Sequence, residues 1–300
     1  MKRILCLFIM PLIWVSCEKE VDIPIEYTDP KLVVNGLFNT DSLWEVEISI
    51  SQYIYDNSSI PLIDDAQVTI TASTGNSFAL INQGNGLYTS QVEKPQTGEV
   101  YTIDVSHSNY VNVRASNQLP TEIAIQNIDW QQQLVVSGEL YRKINITFQD
   151  GPEDDYYMIR LAATFWELEY DPLTGQKDSV LVRFPLYFFS QSPAVENGSA
   201  DDDQPSITFK DDLFNGSQYT IDLLLEEYLF TKEKESLEAI QISTSKISEE
   251  FYWYETSYQA YLSSRDNKFF TQPVQVYTNI ENGLGIFAGY NTRIDSIQIQ

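Results

Sequence analysis

Between Lys31 and Pro120 the chain runs as short apolar stretches separated by turn residues. Leu32-Val33-Val34 is a continuous apolar run ending at Asn35-Gly36, the pattern of a buried strand. Trp44-Glu45-Val46-Glu47-Ile48-Ser49-Ile50 alternates strictly, as does Ala66-Gln67-Val68-Thr69-Ile70-Thr71-Ala72. Strict alternation puts apolar side chains on one face of a sheet and polar ones on the other. Phe78–Ile81, Leu87–Ser90, Val100–Val105 and Tyr110–Ala115 continue the series. Thr74-Gly75-Asn76, Gly84-Asn85-Gly86 and Thr97-Gly98 supply turns between them. Regularly spaced strands without helical periodicity predict an immunoglobulin-like β-sandwich over 31–120, with a boundary at Leu119-Pro120-Thr121.

The rest, 121–300, reads as a second antiparallel β-rich domain, a sandwich or a barrel. Lys143–Phe148 alternates, and Tyr156–Trp166 is a long strand. Asp171-Pro172-Leu173-Thr174-Gly175 is a hairpin-type turn, with Ser179–Phe189 as its return strand. Glu196–Pro205 reads as a polar surface loop, and Ser206–Phe209, Ser217–Leu225 and Ala239–Ser245 as further strands. One segment departs from the pattern. Apolar residues at Phe251, Tyr254, Tyr258, Tyr261 and Leu262 form a helical stripe, which predicts an amphipathic helix over 248–262 packed on the sheet. Ser248 is placed to cap it, and Glu249 and Glu250 favour the dipole of its first turn.

The N-terminus has another organisation. Lys2 and Arg3 precede an apolar run, Ile4–Val15, and Ser16-Cys17 follows. This is the layout of a secretory signal over 1–16. A cysteine at the processing point is what lipoprotein maturation needs: its thiol takes a diacylglycerol and the chain is cut before it. The run is too short to span a bilayer comfortably, whereas acyl chains at Cys17 supply membrane affinity without a spanning helix. Trp14 stands where such boxes usually have Leu, while Val15 and Ser16 fit. The alternative is a plain secretory signal with an incidental cysteine. Residues 17–30, charged and carrying Pro24 and Pro30, read as the lipidated cysteine and an extended tether.

Charge and composition narrow the chemistry. Forty-three acids against eighteen Lys and Arg give a net charge of −25, which argues against nucleic acid and against docking on anionic lipid. Cys6 leaves with the signal and Cys17 is acylated, so no disulfide or thiolate metal site is expected. His107, the one histidine, is expected to be solvated at a strand end. Asp150-Gly151-Pro152-Glu153-Asp154-Asp155 and Asp201-Asp202-Asp203 offer oxygens of the kind Ca²⁺ takes, but without EF-hand spacing. Solvated acidic turns are the expectation, with no metal and no cofactor. The nineteen Tyr and five Trp could stack on sugar rings, and they are equally normal strand and core residues. Nucleophile-elbow, phosphate-loop and zinc-helix motifs do not occur. Asn282-Gly283-Leu284-Gly285 is read as a turn near a closing strand.

Several short pieces, in order, carry a family resemblance. They are Cys17-Glu18-Lys19-Glu20, Pro30–Gly36, Gly86-Leu87-Tyr88, Gly98-Glu99-Val100-Tyr101, Phe148-x-Asp150 leading to Tyr156-Tyr157, and Asn279–Phe287. With these the chain resembles domain-of-unknown-function family 4249, lipoproteins of Bacteroidetes-type bacteria. The resemblance covers essentially all of the mature chain and brings no catalytic residues with it. It implies a companion of TonB-dependent outer-membrane transporters in nutrient uptake. It also implies that the acidic stretch Glu18, Lys19, Glu20 acts as a signal for export to the cell surface. The expectation is therefore a non-enzymatic outer-membrane lipoprotein facing the exterior, with an oligosaccharide or a peptide as its ligand. The rival expectations are a surface enzyme acting on glycan or peptide, and an adhesin-like envelope protein.

Overall fold

A computed structural model of the chain describes residues 28–53, 55–136, 138–170, 177–195, 199–200, 206–227, 237–266 and 274–299. Cys17, Glu18, Lys19 and Glu20 lie outside the described residues, as do the 171–175 turn and Asp201-Asp202-Asp203. The fold is mainly β, with sheets packed as sandwiches and none closed into a barrel among the described residues.

The first eight strands are β1 (Leu32–Phe38), β2 (Glu45–Ile50), β3 (Gln67–Ala72), β4 (Ser77–Ala79), β5 (Ile81–Gly84), β6 (Leu87–Thr89), β7 (Val100–His107) and β8 (Tyr110–Gln118). Next come β9 (Ala124–Val136), β10 (Glu139–Gln149), β11 (Tyr156–Tyr170), β12 (Lys177–Pro185), β13 (Phe188–Phe189) and β14 (Ser199–Ala200). β15 (Ile207–Lys210), β16 (Gln218–Glu226), β17 (Leu237–Ile247), α1 (Glu249–Asp266) and β18 (Leu284–Gln298) complete the chain.

These strands make three sheets, ordered β12-β11-β17-β18-β1-β2-β6-β5 with β15 paired to β11, β14-β13-β16-β10-β9, and β4-β3-β7-β8. The first sandwich closes the four-stranded sheet over the β1 end of the long sheet. Its core holds Val34, Phe38, Trp44, Ile48, Ile70 and Ile103. The second closes the five-stranded sheet over the β11–β17 end, around Ile146, Phe148, Tyr157, Ile159, Phe209 and Leu223.

β18 belongs to both sandwiches. Leu284–Gly289 pairs with β1 in parallel, and Tyr290–Gln298 pairs with β17 antiparallel. Phe287 accordingly sits in the first core, and Ile297 packs against the second. The turn expected at 282–285 leads into this strand. Gly285 has φ +98°, and a Cβ there would stand 2.1 Å from the Val34 carbonyl oxygen. Only glycine lets β18 approach β1 so closely.

Two of the expected strands are divided between sheets. Phe78–Ile81 is split at Leu80, a buried residue at a corner where the chain leaves one sheet for the facing one. Ser179–Phe189 is split after Pro185, and Leu186 is buried where the chain crosses to β13. The helix is present and Ser248 caps it: its Oγ accepts the Phe251 N–H at 3.3 Å. The side it buries differs in part from the expected stripe. Phe251 and Tyr254 of the stripe pack with Tyr252 on Met158, Ile247, Ile286 and Ala288, whereas Tyr258 and Tyr261 are exposed.

Candidate functional site

Where the sandwiches meet, polar side chains hold the shared strand in place. Asn117, buried at the end of β8, donates to Glu250 of α1, and its Oδ1 accepts the Gly289 N–H at 2.7 Å. Asn291 reaches the Pro120 carbonyl at 3.3 Å. Asn279 grips Phe287, donating to its carbonyl at 2.7 Å and accepting its N–H at 3.0 Å.

Beside this junction lies a group of three buried carboxylates, Asp150, Asp155 and Asp211, with oxygens within 4.8 Å of one another. Asp150 ends β10, Asp155 precedes β11 and Asp211 follows β15, so turns at one end of the second sandwich bring them together. Asp150 accepts from the Tyr157 hydroxyl and, at 2.8 Å, from the Gly216 N–H. Asp211 accepts the Asp155 N–H at 2.9 Å. Lys246 forms an ion pair with Asp155 and donates to Thr121 Oγ1 at 3.2 Å, which ties the cluster to the segment between the sandwiches. Burial raises the carboxyl pKa of Asp155 against the opposing pull of Lys246, and burial also raises that of Asp211. The Tyr157 hydroxyl is pushed up by burial and by its bond to Asp150.

The expectation of a solvated acidic turn is therefore corrected at two positions. Glu153 and Asp154 are exposed, while Asp150 and Asp155 are buried. Their oxygens face an ammonium, a hydroxyl and a backbone N–H, with Asp155 Oδ2 held by the Lys246 ion pair and no hydrogen-bond partner besides it. Such an arrangement fixes loops. Next to it opens a cleft of about 880 Å³ between the sandwiches, with Glu153, Asp154, Glu249 and Glu250 at its walls. Tyr156 lies there with its hydroxyl pushed up to about 12, by burial first and then by Glu249.

His107 also departs from expectation. Its side chain is 5% exposed. Nδ1 accepts the Asn109 N–H at 3.1 Å, which leaves Nε2 to donate to Asp65 at 3.0 Å. The ring lies against Tyr110. It staples the β7–β8 turn rather than standing in solvent, because that turn folds back over it.

The outer face of the long sheet is the other candidate. α1 covers one end of it at Met158 and Ile247. Further along, Arg160, Ala162, Arg183, Ser243, Ser245 and Thr292 line a pocket of about 380 Å³. On α1 itself, Tyr254, Tyr258 and Tyr261 stack in a ladder with centroids 6.1 and 6.4 Å apart. Neither the pocket nor Asp211's place beside Asp150 and Asp155 is legible in local sequence spacing. The ladder's i, i+4, i+7 spacing is visible in the sequence; Tyr254 packs toward the sheet, and Tyr258 and Tyr261 stand exposed.

A two-sandwich β fold with a shared terminal strand, internally stapled at its junction, is the class these observations define. The family model described as "Domain of unknown function (DUF4249)" matches residues 18–295, and the chain belongs to that family. Comparison with curated proteins finds no match. The motif pieces now have physical roles. Tyr88 donates to the Ile63 carbonyl at 3.0 Å and accepts the Ala66 N–H at 2.9 Å. Tyr101 accepts the Gln96 N–H at 2.8 Å and packs on Trp44. Phe148, Asp150 and Tyr157 meet at the buried cluster, and Asn279 holds Phe287. These signature residues are staples of the fold.

Proposed function

We propose that the chain is a non-enzymatic outer-membrane lipoprotein of a Bacteroidetes-type bacterium, facing the exterior and assisting a TonB-dependent transporter in nutrient uptake. The observation that carries this reading is Cys17, set directly after a cationic start and an apolar run, in a chain of this family. Among the described residues no helix is long and apolar enough to cross a membrane. In this reading attachment rests on acyl chains at Cys17, reinforced by whatever the chain binds at the surface.

The physical logic is one of proximity. A tether over 18–30 reaches roughly 40 Å when extended. It keeps the sandwiches within a short radius of the membrane, and a transporter in the same membrane meets them at a high effective concentration. The shared β18 lets the two sandwiches move as one unit on that tether. Glu18, Lys19 and Glu20 serve in this reading as the export signal.

Labelling growing cells with an alkyne fatty acid tests the anchor. The wild-type chain should take the label and be shaved from intact cells by protease. Cys17→Ala should lose both the label and membrane retention. Label that persists in Cys17→Ala, or wild-type protein that resists protease on intact cells, would count against this reading.

A further inference from the structure

The outer face of the long sheet has an unusual charge. The chain carries forty-three acids. By strand register, the β2 end of this face carries Glu45 and Glu47, while its other half is formed by alternate positions of β11, β12, β17 and β18, Met158 to Trp166, Leu181 to Pro185, Ala239 to Ser245 and Thr292 to Gln298. None of the side chains of that second half is acidic. Two are arginines, Arg160 and Arg183, both exposed. Among the described residues neither guanidinium enters an ion pair or a hydrogen bond, although the other ion pairs of the chain each engage a carboxylate. Glu255 of α1 feels Arg160: its carboxyl pKa is raised by burial against the attraction of that guanidinium.

We propose that this face binds an acidic, uronate-bearing oligosaccharide, with Arg160 and Arg183 each taking a carboxylate and Ser243, Ser245 and Thr292 meeting sugar hydroxyls. Both arginines line the same pocket, with the small side chain of Ala162 between them. Arg183 is paired across from Thr164, four residues along β11 from Arg160. At about 3.3 Å per residue, the two side chains rise some 13 Å apart along the strands. That spacing suits a ligand with separated carboxylates better than a single small anion. A guanidinium fork matches a carboxylate with two parallel hydrogen bonds. Ser245 and Thr292 already share a hydrogen bond of 2.7 Å and keep further capacity for a ligand hydroxyl. At the far end of the face Trp166, 49% exposed and paired across from Leu181, offers a ring for a sugar to stack on.

A peptide fits this face less well. The backbone groups of β11 and β17 are engaged by strands on both sides. An extended peptide would have to add at the edge of β12 that has no strand partner among the described residues, away from Ser243 and Thr292. The face itself offers side chains only, which is what sugar hydroxyls use.

The test is calorimetric titration of the full chain with tetragalacturonate, beside maltotetraose as the neutral control and tetraglutamate as the acidic peptide. Saturable binding of tetragalacturonate should weaken with added salt. It should fall at least tenfold in Arg160→Gln and in Arg183→Gln, and maltotetraose should bind at least tenfold more weakly than tetragalacturonate. The thermal melt should be unchanged in Arg183→Gln, whose guanidinium has no ion pair or hydrogen bond among the described residues, whereas Arg160→Gln also loses its attraction to the buried Glu255 carboxyl. Should a glutamine variant melt early, Arg183→Lys gives the same reading with charge kept, and a loss there marks the guanidinium fork. Absence of saturable binding, unchanged binding in the variants, equal binding of maltotetraose or tighter binding of tetraglutamate would each overturn the proposal. The binding needs no transporter, so its failure leaves the proposed function standing, and the reverse holds as well.

Discussion

Replacing Phe287 with alanine removes a ring that the last strand contributes to the first sandwich. Phe287 is fully buried, with its centroid 4.8 Å from that of Phe38 and its ring stacked 6.0 Å from Trp44. The gap would lie among Phe38, Trp44 and Val34, which are themselves fully packed. A buried Phe→Ala change costs about 3–5 kcal/mol, from lost transfer energy and the cavity left behind. The backbone at 287 stays gripped by Asn279, so the strand is not expected to detach and the loss is one of packing. Native stabilities are about 5–15 kcal/mol, so this is a large share of the total. Because β18 continues from β1 to β17, the cost should be felt by both sandwiches. Urea unfolding followed by hydrogen exchange reads each sandwich separately, with β3 and β7 reporting on the first and β10 and β16 on the second. The predicted result is an equal drop in the midpoint of both. A loss under about 1 kcal/mol would refute the packing argument. A drop confined to β3 and β7 would refute the coupling through β18.

Three further outcomes follow from the junction. Lys246→Met leaves the buried Asp155 carboxylate without its cation and should cost about 3–5 kcal/mol in urea melts near neutral pH, with less lost in acid where Asp155 is protonated. Asp211→Asn tests the sign of a raised carboxyl pKa. The stabilisation Asp211 gives on protonation is complete below its ordinary value of 3.8 and is lost as pH rises through its higher folded value. The stability of wild type relative to Asp211→Asn should therefore decline as pH rises above 3.8, and a gap that widens with pH would contradict the burial argument. Tyr88→Phe removes the hydroxyl that bridges Ile63 and Ala66 and should cost about 1–3 kcal/mol by denaturant melts.

Most of the β pattern was legible because strict alternation survives wherever one face of a strand is buried, as in β2, β3 and β7. β9 was not, because register shifts against β10 near Tyr141 and Phe148 break its period. β18 was read only as a closing strand, since nothing local in Leu284–Gln298 says that its two halves pair with different sandwiches. The helix was visible from its spacing, but its buried side was not. Tyr side chains suit both a core and an exposed ladder, and the choice was made by Met158 and Ile247 beneath it. The acidic run at 150–155 looked like solvent-facing sequence because the partners that let Asp150 and Asp155 be buried, Tyr157, Gly216 and Lys246, are supplied by the fold. The arginine pocket was invisible for the same reason, as Arg160, Arg183 and Ser243 come from three strands and meet only through register.

The central proposal is that the chain is a lipoprotein and works beside a transporter. Its most direct test is to recover the native, lipidated chain from its own outer membrane in gentle detergent through a C-terminal tag and to identify what accompanies it by mass spectrometry. The account predicts a TonB-dependent transporter in near-equal amount, retained when the salt is raised and absent when Cys17→Ala is used as bait. Recovery of the intact chain alone, at an expression level where it is found in the outer membrane, would contradict the account.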